Sequence, residues 1–467
     1  MKFFRLKTLF LVLAHVILII LLLLLFFNSV TERLYPKRAG NSEAYLDNED
    51  EYQDPVNLTE DLLSYEETMN EQPGNMFWDS FPEETTNGSV IGVQELKNQT
   101  QREANRTSLE VRSTTFGQTT WKSLKAKDFT AEPQWESEEH YIQVSSSYHT
   151  TCPISIRIKA YNVPWLKQRF LYDITIFMDS HHFSDEEWKR LGHFIPPFGW
   201  MELKYSVVKE AILALPDVTN QQLLLKEKSG KTPHCVTCAV VGNGGILNAS
   251  RMGQEIDAHD YVFRVNGAVI QGYEDDVGRR TSFYGFTAYT LLASLYMLNR
   301  RGFAKMPRDE ETKYILFTEG QRDYEWLKAL QQNKELAKGT LEMYRLRPRD
   351  DFGDNFDFKK LLVVHPDFAR YLKNRYLRSN TLNGKGWRYY RPTTGALVLL
   401  TALHLCDTVS AYGFMTEDFK NYADHYYDKT KTNLVFYVNH DFLLEKDLWA
   451  LLHEKNIIKL YMRAKGL

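Results

Sequence analysis

Read along its hydrophobic and polar positions, the chain falls into three stretches. Leu9 to Phe27 is an apolar run interrupted only by Ala14 and His15. At about 1.5 Å per helical residue it spans the roughly 30 Å hydrocarbon layer of a bilayer. Lys2, Arg5 and Lys7 precede it, which by the positive-inside tendency puts the N-terminus in the cytosol and the rest in a lumen. We expect a cytoplasmic tail at 1–7, a signal-anchor helix at 8–27 and type II topology. A cleaved signal peptide is the rival, but Phe26-Phe27-Asn28-Ser29-Val30 offers no small-x-small cleavage site. From Ala39 to Leu96 there is no Lys or Arg and no sustained period, only Glu, Asp, Asn, Ser and Thr in abundance. Such a stretch cannot bury a core, and residues 28–140 are expected to form a lumenal stem.

Beyond about residue 150 short β-branched and aromatic runs alternate with amphipathic stretches. The expected strands are Thr237–Val241, Tyr261–Val265, Tyr314–Thr318, Leu361–Val364, Val409–Phe414 and Ile457–Tyr461, with helices at Ala396–Leu405 and Phe442–His453. In the second helix Leu444, Leu448, Leu451 and Leu452 recur on one face, which we assign to the core. The alternation predicts an α/β fold, a Rossmann-like α/β/α catalytic domain with a mostly parallel sheet over residues 141–467.

Charge and cysteines narrow the class. A net charge of -3 over 467 residues excludes the strongly basic surface that nucleic-acid binding needs. The chain has 4 cysteines, Cys152, Cys235, Cys238 and Cys406, and in an oxidising lumen two disulfides are the default, with three pairings open. A zinc site would want a second close pair besides Cys235-x-x-Cys238. Asn57, Asn87, Asn98, Asn105 and Asn248 open N-glycosylation triplets.

Candidate chemistry begins at Cys238-Ala-Val-Val-Gly-Asn-Gly-Gly-Ile-Leu, a buried strand entering a glycine-rich turn and then a helix. That arrangement aims backbone N–H groups at an anionic ligand. The third glycine of the dinucleotide fingerprint is missing at Leu247, and there is no P-loop Lys-Ser/Thr. A plain tight turn is the alternative. Next, Asp260-Tyr-Val-Phe-Arg264 leads to Asn266 at the carboxyl edge of the expected sheet. With Val241-Gly-Asn-Gly-Gly and Asp276-Val-Gly, this stretch resembles the large sialylmotif of animal sialyltransferases.

Three further blocks resemble that family in order: Arg391-Pro-Thr-Thr-Gly-Ala-Leu through Cys406-Asp and Tyr412-Gly-Phe as the small motif, His425-Tyr-Tyr-Asp428 as the third, and His440-x4-Glu445 as the last. The resemblance covers about residues 150–467. It implies inverting transfer of sialic acid from CMP-sialic acid, with no cofactor and no metal. By the same resemblance Asn243 and Asn266 bind the CMP part of the donor, and Thr393, Thr394 and Gly395 bind the sialic acid and nearby donor atoms. His425 contacts the donor phosphate, and His440 is the catalytic base. Cys238 pairs with Cys406, leaving Cys152 for Cys235.

Each assignment has a blander counterpart. The asparagines suit turns of positive φ, Thr393 suits a helix N-cap, His440 could merely cap the helix after it, and Tyr426 and Tyr427 read as packing residues. Glu445 is expected to orient a neighbouring loop. The blocks at Met252, Thr281, Arg322 and His365 are similar to members that sialylate the 6-hydroxyl of N-acetylgalactosamine (GalNAc) on mucin-type O-glycoproteins, which implies a Golgi location. The competing readings are a sialyltransferase of another acceptor or linkage, and a lumenal sialoside- or nucleotide-binding protein without catalysis.

Overall fold

The computed structural model describes residues 124–144, 150–218, 235–336, 341, 346–431, 434 and 436–463. The expected tail, the anchor at 8–27, most of the stem, and Asn57, Asn87, Asn98 and Asn105 lie outside the described residues.

Eight strands form one sheet in the order β1-β6-β5-β4-β3-β2-β7-β8. They are β1 Phe177–Met178, β2 Thr237–Val241, β3 Tyr261–Val265, β4 Phe283–Phe286, β5 Lys313–Leu316, β6 Leu361–Val364, β7 Thr408–Tyr412 and β8 Lys459–Leu460. Every pairing is parallel except that of β1 with β6. The central strands are nearly continuous apolar runs because helices cover both faces.

The period of two along each strand divides the core. Ala239, Val241, Val262, Tyr284, Leu316 and Val363 enter one apolar cluster with the helices Tyr205–Leu213, Ala288–Met297 and Gln321–Gln332. Cys238, Val240, Phe263, Ile315 and Leu362 enter the other, with Ile156–Asn162, Pro366–Arg375, Thr394–Leu405 and Phe442–Glu454. Ala396 to Leu405 is buried throughout, so this helix is apolar on all sides and lies against β2, β3 and β7. Disulfides join Cys152 to Cys235 and Cys238 to Cys406, the pairing implied by the resemblance. The second ties the start of β2 to the end of that helix.

Three expectations need correction. Residues 124–140 are not stem but part of the fold. Phe129 packs edge-on against Trp135 and Trp387, Lys373 pairs with Glu132, and Arg370 Nη2 donates to His140 O at 2.7 Å. In the helix Phe442–Glu454 the buried face is Glu445, Leu448, Trp449 and Leu452; Leu444 and Leu451 are only half-buried. A carboxylate therefore occupies the face assigned to leucines. Finally, the turn after β2 continues as one 3₁₀ turn, Gly245–Leu247, rather than a helix.

Candidate active site

The chain runs from β2 through β3 to β6 on one side and then returns to place β7 on β2's other edge. In an open α/β sheet, ligands bind outside the carboxyl ends of the strands at such a reversal. The glycines there serve close approach. Gly242 N donates to Tyr412 O at 2.8 Å and Gly244 N to Gly413 O at 3.0 Å. A Cβ at Gly242 or Gly244 would lie 2.7 or 2.6 Å from Gly413 O, and one at Gly245 only 2.1 Å from Ala423 O. The expected anion cradle is thus largely consumed by the meeting of three backbone segments.

That meeting sets side chains in place. Asn243 O accepts from Tyr426 N at 3.0 Å, and Gly244 bridges to His425. The side-chain oxygens of Asn243 and Asn266 are both buried and unpartnered among the described residues. Asn266 has φ 47, and Tyr284 OH donates to its carbonyl. It is at once a turn residue and a presented amide. His425 donates its backbone N–H to Asp428 Oδ2 at 3.0 Å, and its Nδ1 lies 3.3 Å from the same oxygen. This carboxylate, also held by Arg301 at 2.8 Å, accepts the Nδ1–H, so Nε2 is the ring nitrogen left for a ligand. The ring stacks on Tyr427 at 5.0 Å. Tyr426 is buried with its hydroxyl donating to Val269 O at 2.6 Å, a packing role.

A second corner joins the small and last motifs. Glu445 accepts from Thr393 N and from Thr393 Oγ1, both at 2.7 Å, while Thr393 Oγ1 accepts from Ala396 N at 3.0 Å. The Thr393 hydroxyl thus gives its proton to Glu445 and one lone pair to the helix cap. The N–H groups of Thr394 and Gly395 remain without partners among the described residues, and Phe414 lies beside both Gly242 and Gly395, so the two corners adjoin. Burial pushes the Glu445 carboxyl up to about 7 against the pull of its two bonds to Thr393.

His440 stands next to this pair. The cap of the following helix is Asp441, whose side chain accepts from Leu444 N at 3.0 Å, so His440 does not cap. Its Nδ1 lies 2.8 Å from Arg391 O. A carbonyl can only accept, so the ring proton sits on Nδ1 and Nε2 carries the lone pair. Asn439 Nδ2 lies 3.4 Å from that Nε2. Burial holds the imidazole below its ordinary value, partly offset by the Arg391 carbonyl and the Glu319 charge. The corner presents a neutral, oriented ring able to take a proton.

Every residue of these corners lies between 177 and 457, the stretch matched by the model of glycosyltransferase family 29 (sialyltransferase). The chain belongs to this sialyltransferase family. It is 58% identical over 343 residues to alpha-N-acetylgalactosaminide alpha-2,6-sialyltransferase 1 of Gallus gallus, covering 73% of this chain and 61% of that one. The human protein of the same name is 54% identical, over 73% of this chain and 57% of the relative. Alpha-N-acetylgalactosaminide alpha-2,6-sialyltransferase 2 of Mus musculus is 42% identical, over 63% and 79%. The chain thus spans 61% and 57% of the length of its first two relatives.

Not every block singled out in this chain touches the corners. Thr281-Ser-Phe-Tyr-Gly-Phe runs into β4, Met252 begins the short helix Gly253–Asp257, and His365 is a fully buried N-cap. Of these blocks it is Arg322 that approaches the second corner, sharing Glu319 with Arg391. Sequence reasoning assigned no role to Asp428 or Arg391, although both stood in the quoted motifs. Asp276 accepts from Ala249 N and Arg251 N at 2.7 and 2.9 Å, a loop clamp. Among the described residues no cluster of three or more His, Cys, Asp or Glu side chains could hold a metal. Asn248 is exposed, and its Nδ2 donates to Tyr426 O at 2.8 Å.

Proposed function

We propose that the chain transfers sialic acid from CMP-sialic acid to the 6-hydroxyl of GalNAc O-linked to Ser or Thr, by inverting displacement with His440 as general base. The observation that carries this reading is the His440 corner, a neutral imidazole with its proton fixed on Nδ1 and its acceptor nitrogen free of a tight bond. The acceptor hydroxyl is weakly acidic and loses its proton as the new bond forms, and a side chain titrating near neutrality suits that task.

On the donor side, the Asn243 and Asn266 amide oxygens would accept hydrogen bonds from the cytidine, His425 would contact the phosphate, and the Thr394 and Gly395 N–H groups would meet the sialic acid carboxylate. Charge building on the departing CMP would be offset at His425. Thr393 and Glu445 position this loop without touching the donor. No metal and no cofactor takes part. The relatives' names support the GalNAc acceptor and the α-2,6 linkage. Residues 8–27 would anchor the enzyme as a type II protein of the Golgi membrane, with the folded domain lumenal and the sequons, Asn248 included, available for N-glycans.

The test is to incubate the full-length chain in detergent with CMP-sialic acid and a panel of defined glycopeptides, then determine product linkage. Sialic acid on the GalNAc 6-hydroxyl supports the reading. Transfer only to galactose of N-glycans contradicts it.

A further inference from the structure

The carboxyl end of β5 passes through Glu319 and Gly320 into the helix Gln321–Gln332. Buried Asp323 fixes this turn, accepting from Glu319 N at 3.1 Å and from Ala288 N at 2.9 Å. The Glu319 side chain, 10% exposed, lies between Arg391 Nη1 at 3.6 Å and Arg322 Nη2 at 3.8 Å. Both distances exceed a hydrogen bond. The charges are balanced, yet neither carboxylate oxygen accepts a hydrogen bond among the described residues. Arg322 is held over the Tyr289 ring at 4.9 Å. Arg391 Nε is buried without a partner, and Arg391 O is the atom that orients His440.

An unused, nearly buried carboxylate beside an unused guanidinium N–H is a costly arrangement unless a ligand completes it. One residue, Arg391, links this pair to the proposed base, so the ligand is the molecule whose hydroxyl His440 deprotonates. Resting on the acceptor reading above, we infer that Glu319 accepts a hydrogen bond from the 4-hydroxyl of the acceptor GalNAc, with Arg391 Nε–H donating to the same sugar. In the galacto configuration the 4-hydroxyl is axial and sits on the ring carbon next to the one bearing C6. It is the ring hydroxyl nearest the attacking oxygen, and it stays free whether or not the 3-position carries another sugar. Glu319 thereby selects GalNAc against its 4-epimer and is indifferent to extension at the 3-position.

The experiment compares the full-length wild type and Glu319→Gln on a GalNAc glycopeptide, its 4-deoxy analogue and the GlcNAc epimer. Losing a hydrogen bond to a charged group predicts a roughly 10- to 100-fold fall in wild-type kcat/KM on the 4-deoxy acceptor. The variant should lose a similar factor on the parent acceptor, mainly through acceptor KM, and nothing further on the 4-deoxy one. Its KM for CMP-sialic acid and its slow donor hydrolysis should not move, while the pH profile should shift only to the acid side, as loss of the Glu319 charge near His440 requires. A wild type indifferent to the 4-hydroxyl overturns the inference whatever the variant's folding, as does a variant that keeps full discrimination. A loss confined to kcat, with acceptor KM unchanged, also overturns it, since Glu319 would then act only through His440. A wild type that uses CMP-sialic acid but ignores every GalNAc acceptor refutes the acceptor reading itself, and this inference with it.

Discussion

His365 and His440 both sit at the start of a helix, both are largely buried, and burial lowers both pKa values. They have opposite chemistry. His365 is the N-cap of Pro366–Arg375, its Nδ1 accepting from Asp367 N at 3.1 Å. Its proton is therefore on Nε2, which is buried and unpartnered, and burial pushes the ring down to about 3. His440 stands one residue outside its helix because Asp441 takes the cap, so its Nδ1 is free to donate to a carbonyl and its Nε2 is left as an acceptor. A depressed pKa does not mark the base; the partner of Nδ1 does.

The sharpest way to break this contrast is His440→Ala. Transfer at saturating donor and acceptor should fall by roughly 10² to 10⁴, the contribution of general base catalysis, while CMP-sialic acid binding measured by calorimetry survives. Near wild-type turnover would remove His440 from the mechanism.

The neighbouring carboxylate gives the next largest effect. Glu445 rises from 4.5 to about 7 on folding, burial being the main cause. A carboxyl raised in the folded state contributes stability that is complete below its unfolded pKa and is lost as pH rises through its folded one. Across that window the wild type should lose about 3 kcal/mol from this group. Glu445→Gln should not show this loss, so the wild type gains on the variant at pH 4 relative to pH 8 in denaturant titrations. Identical pH dependence in the two proteins would show that Glu445 ionises freely.

His365→Ala is the smallest perturbation of function. Loss of a cap and of buried volume should cost roughly 1–3 kcal/mol of stability, with kcat unchanged. A fall in kcat without a fall in stability would erase the distinction between the two histidines.

Much of this was legible in the sequence, for identifiable reasons. β2 and β6 are buried on both faces and read as nearly plain apolar runs, as does β3 except for the buried Arg264. β4 escaped because Gly285 interrupts four residues, and β1 because two residues carry no period. Residues 124–140 looked like stem, since Phe129 and Trp135 are isolated anchors in a polar stretch and their partner Trp387 is remote in sequence. The motifs put His440, His425 and the asparagines at the sheet edge, but the work of the glycines depended on Gly413 and Ala423 arriving from β7's side. Likewise no local pattern could place Glu445 beneath Thr393, or show that it takes the Thr393 hydroxyl proton.

The most direct test is the tautomeric state of the two rings, read by NMR on protein carrying ¹⁵N-labelled histidine, with each signal assigned by single replacement. At pH 7 the account predicts a neutral His440 protonated on Nδ1 with Nε2 bare, and a neutral His365 protonated on Nε2. A His440 that carries its proton on Nε2, or is an imidazolium at that pH, has no lone pair to offer the acceptor and contradicts its assignment as the base.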